Sequence, residues 1–350
     1  MRAGRVVILG RDYHPVRGRE YTVLLTLALI WGASFLFIKL AVLEVSPATL
    51  ATVRVGGSVL TLSALTVFRP KLFAGGWRFW RLSLAVGFIN YVIPYIFIAW
   101  GETHISSGMA SILNATTPLF TVLLANWWAK PGYEALNVRR GLGVVSGFVG
   151  VGVLVGPQLW GDVGGGKIDL LGLAAVLVAA AAYAVGALLS RGYAGSAQLV
   201  GPLGSQIGAL IVLLPIALLG NAWLALRWNG TWSVQSLAIH WDPPTHLPSL
   251  IAIGSMVELG VLGTAAAYLL YFWLIRHVGA TRATIVTYLL PCTALVWGVL
   301  LLGETVSWYA LAGLALVLLG TMVTNGTFNG LFARGKSRAG AAAAETVRES

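Results

Sequence analysis

Three charged side chains lie inside stretches of the sequence that are otherwise apolar: Lys39, Arg54 and Glu258. A charge in hydrocarbon costs about 2.5 to 3.5 kcal/mol on insertion scales. Each must therefore face a cavity, find an opposite charge, reach the interface or, for Glu258, stay protonated. Glu258, the only acidic residue well inside such a stretch, has the chemistry to bind a proton or a cationic solute. Lys39 and Arg54 stand about one and two turns from the ends of their stretches. They suit an outer gate, an anion-attracting vestibule, partnership with Glu258, or snorkelling on their long stems.

Neutral groups fall at similar depth. Asn90, Asn114, Thr116, Thr117 and Tyr288 sit near the middle of apolar stretches, where they either line a cavity or join helices by hydrogen bonds worth about 0.6 kcal/mol each. Pro118 and Pro291 lie beside them. A proline inside a helix removes one backbone bond and kinks the chain, so these two are the expected hinges. Trp31, Tyr95, Tyr183 and Tyr268 offer flat faces that pack against neighbours or hold a flat, apolar or cationic solute. The expected binding set is Trp31, Asn90, Tyr95, Asn114, Tyr183, Tyr268 and Tyr288, with Glu258, Lys39 and Arg54 as coupling or gate residues.

Enzyme-like strings fail on context. Gly161–Lys167 has phosphate-loop spacing, but Ile168 stands where the metal-binding Ser or Thr belongs, and no strand precedes it. Gly141, Gly143 and Gly147, like Gly150, Gly152 and Gly156, sit in one apolar stretch, where small residues let helices approach closely. His240, Asp242 and His246 share a proline-flanked loop, and no metal is expected there. No nucleophile–base constellation presents itself, so neither a catalytic residue nor a cofactor is expected. The single cysteine, Cys292, excludes an intrachain disulfide and a Cys-based zinc site.

The elements that must position these residues follow from composition. Of 350 residues, 57% are hydrophobic and 10% charged, against roughly 25% charged in an ordinary soluble domain. No soluble core can hide so much apolar surface, so the expectation is an all-α polytopic membrane protein. Stretches long enough to cross a bilayer fall at about 22–43, 48–68, 81–101, 105–128, 138–156, 168–190, 198–220, 249–275, 280–302 and 307–325. Ten helices place both termini on one side. Of the 23 Lys and Arg, 19 then fall on the segments of that side, 2 (Lys167 and Arg227) on the opposite side, and Lys39 and Arg54 within spans. The positive-inside rule makes the first side the cytoplasm. The net charge of +11 thus marks a bilayer face and not a nucleic-acid partner. The expected partners are the lipid bilayer and a small-molecule substrate, with protons as a candidate coupling ion. Residues 1–21 and 326–350 read as mobile cytoplasmic tails, and the outer loop 221–248, with Trp223, Trp228, Trp232 and Trp241, reads as lying on the outer leaflet.

The chain also repeats itself. At an offset of 173, Tyr95, Trp100, His104, Ala110, Ile112 and Pro118 fall on Tyr268, Trp273, His277, Ala283, Ile285 and Pro291. At 170, Glu134, Gly143 and Gly150 meet Glu304, Gly313 and Gly320, and at 152, Trp31 and Lys39 meet Tyr183 and Arg191. Each unit holds five helices. Five is odd, so the second copy enters the membrane inverted, which puts a substrate site between halves near the midplane. The expected organisation is a first repeat over 22–156, an outer linker over 157–167 and a second repeat over 168–325.

The residues then resemble a known family. Leu29-Ile30-Trp31-Gly32-Ala33-Ser34-Phe35, followed by Lys39, Ser46-Pro47 and Arg54, looks like the start of an EamA domain of the drug/metabolite transporter superfamily. Gly260 through Tyr268, then Pro291, Gly303-Glu304 and Gly313, is similar to the C-terminal EamA domain, and Asn114, Pro118, Glu134 and Gly143 are similar in the first copy. The resemblance covers about residues 22–325 and implies a ten-helix transporter, with many relatives exporting amino acids, drugs or other small metabolites. Glu258 and the Trp-rich loop depart from the pattern. A membrane enzyme acting on a lipid-linked substrate, or a sugar-phosphate exchanger of the same superfamily, is the competing reading.

Overall fold

The computed structural model describes residues 6–8, 11–13, 18–66, 76–127, 137–159, 170–190, 200–227, 247–278, 283 and 285–325. The chain begins with a short antiparallel hairpin, β1 (Val6–Ile8) paired with β2 (Arg11–Tyr13). Helices follow: α1 (Gly18–Ala41), α2 (Pro47–Thr66), α3 (Trp77–Gly87), α4 (Ile93–Glu102), α5 (Ser107–Asn114), α6 (Thr117–Trp127) and α7 (Val138–Leu159). Then come α8 (Leu170–Ser190), α9 (Val200–Arg227), α10 (Leu250–Gly260), α11 (Ala267–Val278), α12 (Val286–Leu302) and α13 (Trp308–Thr324). Two π-helical segments, Phe88–Val92 and Val261–Ala266, join α3 to α4 and α10 to α11.

Among the described residues, 8 helical segments are long and apolar enough to cross a membrane, and two shorter apolar helices, Val286–Leu302 and Trp308–Thr324, complete the ten. Their outer surfaces are apolar too: Leu60, Leu250 and Leu300 are 73%, 87% and 69% exposed. Side chains of this kind in such number suit hydrocarbon and not water. The fold is that of an all-α, ten-helix membrane protein.

Three expectations are corrected. The N-terminal tail is not featureless, since β-branched Val6, Val7 and Ile8 pair into a hairpin and α1 already starts at Gly18. The loop expected from residue 221 begins later, because α9 runs on to Arg227; its apolar Ala-Trp-Leu-Ala-Leu run continues the helix. The third span ends at Glu102 and not before it, and Glu102 is fully buried. Glu258 is therefore not the only acidic residue inside a span. Glu134, Arg191, Gly161–Lys167, His240, Asp242, His246, Trp228, Trp232, Trp241 and the C-terminal tail from residue 326 lie outside the described residues.

The chain divides into two compact units, Met1–Ala115 with Ile168–Val306, and Thr116–Lys167 with Ser307–Ser350. In the second unit α7 and α13 interlock through glycines. A Cβ added to Gly150 would lie 2.8 Å from Gly313 O, one added to Gly313 would lie 2.8 Å from Gly150 O, and Gly143 and Gly320 block each other in the same way. Gly143 and Gly150 are the repeat mates of Gly313 and Gly320. Each glycine thus faces the mate of the other, the reciprocal pattern a two-fold axis imposes on an antiparallel pair. The inversion argued from an odd number of helices is visible here as a contact.

Candidate central site

The first unit carries the polar and aromatic groups, and its two π-helical segments explain their placement. Phe88–Val92 and Val261–Ala266 start 173 residues apart, the offset of the sequence repeat. In the first, Pro94 at the start of α4 has no N–H to give the Asn90 carbonyl, and its ring crowds that carbonyl, so the ladder widens. In the second no proline intervenes. There the Thr264 hydroxyl donates to the Leu259 carbonyl at 2.8 Å, five residues back, and fills the wider turn. Such wide turns recur at functional sites because they present polar atoms that an α-helix would consume.

Around these turns the contacts come in two-fold-related pairs. Arg54 of α2 is buried, with Nε donating to Thr264 Oγ1 at 3.0 Å. Its repeat mate at an offset of 152 is Gln206 of α9, and the mate of Thr264 is Tyr91. Gln206 and Ser205 indeed face the Tyr91 hydroxyl, and Ser58 Oγ donates to Gln206 Oε1 at 2.7 Å. Asn90 fills the space over Gly186, while its mate, Gly263, leaves room for Ser34. Trp31 meets Tyr268 edge-on at 6.4 Å, and its mate Tyr183 packs on the cluster that holds Tyr95.

The rings form a continuous wall. Tyr95 touches Tyr91 at 5.6 Å, Tyr91 touches Tyr268 at 6.1 Å, and Tyr271 extends the wall from Trp31 at 5.3 Å. The Arg54 guanidinium lies over the Tyr95 ring, 4.1 Å from its centroid. A desolvated contact of this kind is worth about 2 kcal/mol. Glu258 stands in the last turn of α10, two residues before its end; its Oε2 is buried without a hydrogen-bond partner, and a Cβ added to Gly263 would lie 3.6 Å from it. Arg54 is the cation that faces it. The site therefore offers aromatic faces, a fixed cation and a carboxylate with a spare acceptor.

The structure brings Trp31, Arg54, Asn90, Tyr95, Tyr183, Glu258 and Tyr268 to this region. Lys39 stands elsewhere. Its ammonium donates to the carbonyls of Glu102 and, at 2.9 Å, Ile105, so it neither snorkels nor partners Glu258. Asn114 is the last residue of α5, and Tyr288 is buried in the first turn of α12. Pro291 lies inside a continuous α12, whereas Pro118 is the second residue of α6, just after a break in the helix at Ala115–Thr116. Sequence reasoning missed Tyr91, Gln206, Thr264 and Ser58. The repeat contained the signal, since the 152 offset that aligns Trp31 with Tyr183 also aligns Arg54 with Gln206.

The model of the EamA-like transporter family matches residues 19–156 and again 166–326. The chain belongs to that family. As an EamA-like transporter it has relatives of nearly full length. An "uncharacterized transporter" of Archaeoglobus fulgidus is 26% identical over 309 residues, covering 87% of this chain and 98% of the relative. The "uncharacterized inner membrane transporter YedA" of Escherichia coli K12 is 27% identical, with 88% and 91% covered. A solved crystal structure at 18% identity superposes with a TM-score of 0.57 over 90% of this chain and 99% of its own, a likeness of fold alone. This EamA-like protein is thus a multi-pass membrane transporter.

Proposed function

We propose that the chain exports small organic solutes, amino-acid-like or cationic and amphipathic, by alternating access, with both termini in the cytoplasm. The observation that carries this reading is the meeting of an aromatic wall with two opposite charges at the two-fold-related turns. Trp31, Tyr95, Tyr183 and Tyr268 take the solute's flat or apolar part. Glu258 takes its ammonium, and Arg54, steadied by Thr264 and the Tyr95 ring, takes an anionic end. Asn90, Asn114 and Tyr288 complete the lining, and Pro118 and Pro291 serve as hinges. Solutes held near a two-fold axis are exposed to either side as one half rocks against the other.

A thermal-shift screen of purified protein against amino acids, polyamines, nucleobases and amphipathic drugs tests it, because a ligand that binds only the folded state raises stability by mass action. At least one amine-bearing solute should raise Tm in wild type and not in Glu258→Gln, and should exchange across proteoliposomes. A ligand set confined to phosphate esters overturns the solute class. Orientation is read separately: in a Cys292→Ser background, cysteines at Ser233 and Ser337 should react with an impermeant thiol reagent from outside and inside, respectively. Reaction of both from outside overturns the topology.

A further inference from the structure

The turn between α4 and α5 is held from two directions. On its incoming side, Lys39 of α1 donates to the carbonyls of Glu102 and Ile105, where a helix C-terminus leaves acceptors without partners. On its outgoing side, Glu304 spans the first amides of α5, accepting from Ser107 N at 2.7 Å and Gly108 N at 3.1 Å. Gly303, in the left-handed region at φ +64°, ends α12 and turns Glu304 toward these amides. Cation on carbonyls and anion on amides balance one another.

Glu102 sits between them and is served by neither. It is 0% exposed, and both of its carboxyl oxygens are buried without a hydrogen-bond partner; the Ser107 hydroxyl, also 0% exposed, is in the same condition. An ionised carboxylate cannot rest there, since burial of a charge demands a partner on it. The charged groups that face it are Lys39 from α1, Glu304 from the segment after α12, and Arg54 from α2. With Glu102 neutral, Lys39 and Glu304 cancel, and Arg54 is matched by Glu258. Loss of its proton leaves an unmatched negative charge, which the cluster can hold only if water enters or the Lys39 ammonium leaves the two carbonyls for the carboxylate. Either event frees the end of α4.

We propose that Glu102 is the coupling proton site of this transporter: it is protonated in the arrangement described here, and its deprotonation releases the α4–α5 turn. The step is a simple transfer, with the carboxyl O–H giving its proton to water and Lys39 becoming the counterion. Glu258 is left to the solute. The inference rests on the transport reading for its purpose, yet its test needs no solute.

The test uses the full chain in liposomes with Glu258→Gln and Cys292→Ser, by infrared difference spectroscopy between mildly acidic and mildly alkaline buffer. A protonated buried carboxyl band should be present in acid, disappear in alkali, and be missing throughout when Glu102→Gln is added. A thiol placed at Ser106 should label faster in alkali by more than the rise in its thiolate fraction, measured on the denatured chain, and by no more than that rise once Glu102 is Gln. The site is overturned by a band that never disappears with pH, by one that survives Glu102→Gln, or by labelling in that variant that still rises with pH beyond the thiolate fraction. It is also overturned if replacing choline by sodium at fixed pH removes the band, since the ion would then be sodium. Should Glu102→Gln fail to fold, the pH response of the parent chain's band and label still decides. If band and label behave as stated while no solute exchanges across proteoliposomes of the chain that keeps Glu258, the proton site stands and the solute reading falls.

Discussion

The helix pair of the second unit and the centre of the first are built by opposite rules. Between α7 and α13 the two-fold-related positions are occupied by the same residue, glycine, and backbone meets backbone. In the centre the related positions differ: Arg54 against Gln206, Thr264 against Tyr91, Asn90 against Gly263. Symmetry is kept where main chains touch and in the ring pair Tyr95 and Tyr268, and abandoned at the polar positions between them. The interlock tolerates no added atoms, whereas the central groups are free to diverge, and under the proposed function it is this divergence that gives two related halves a single solute-binding geometry.

The sharpest way to break this comparison is Gly150→Leu. Its side chain would have to displace the Gly313 carbonyl and Leu316, and strain of that kind costs about 3 kcal/mol. Size-exclusion profiles of detergent-extracted protein should show loss of the folded species. A variant that runs and melts like wild type would mean that α7 and α13 separate without cost. Next in size is Arg54→Gln, which makes the two repeat-related positions identical. Binding of the solute found by thermal shift should weaken on the order of 100-fold, the scale for removing one member of a buried charge contact, while the ligand-free protein still folds. Unchanged affinity would show that the asymmetry carries no recognition.

Tyr95→Leu keeps an apolar side chain but removes the ring beneath Arg54. Affinity should fall about tenfold, in keeping with a cation–ring contact of 1 to 2 kcal/mol, measured by the same titration. The prolines sharpen the comparison at its small end. Pro291→Ala restores a backbone donor inside α12, so exchange in proteoliposomes should slow a few-fold with solute affinity unchanged. Pro118→Ala should do less, because the second residue of a helix has no intrahelical bond to lose. Equal rates for both variants and wild type would make the prolines architecture and not hinges.

Much of this was legible in the sequence because membranes impose strong patterns. Span positions, the repeat and its glycines follow from apolar length and residue size, and Arg54 and Glu258 stood out as charges in apolar runs. What was not legible depends on contacts between distant segments. Glu102 lies one residue past the expected span end and looked like a loop residue, and only the packing of α1, α5 and the Gly303 turn around it reveals its burial. Lys39 read as a snorkelling side chain because nothing in its own helix signals that the carbonyls of Glu102 and Ile105 lie within reach. The π-helical turns were likewise invisible, since Pro94 explains one but no residue pattern announces the other.

Those two wide turns have a consequence for insertions and deletions. A π-helical turn holds about one residue more than an α-helical turn, so every side chain beyond it is rotated by roughly 100° relative to an uninterrupted helix. Tyr95 and Tyr268 follow such turns by only a few residues. Removing one residue from Phe88–Val92 would take the extra residue out of the wide turn and restore a regular helix, while leaving Tyr95, and Glu102 after it, on the faces they already occupy. The same loss within α4, between Tyr95 and Glu102, has no wide turn to absorb it and would swing Glu102 onto another face. The wide turns are therefore the places where these spans can shed a codon without losing their side-chain geometry.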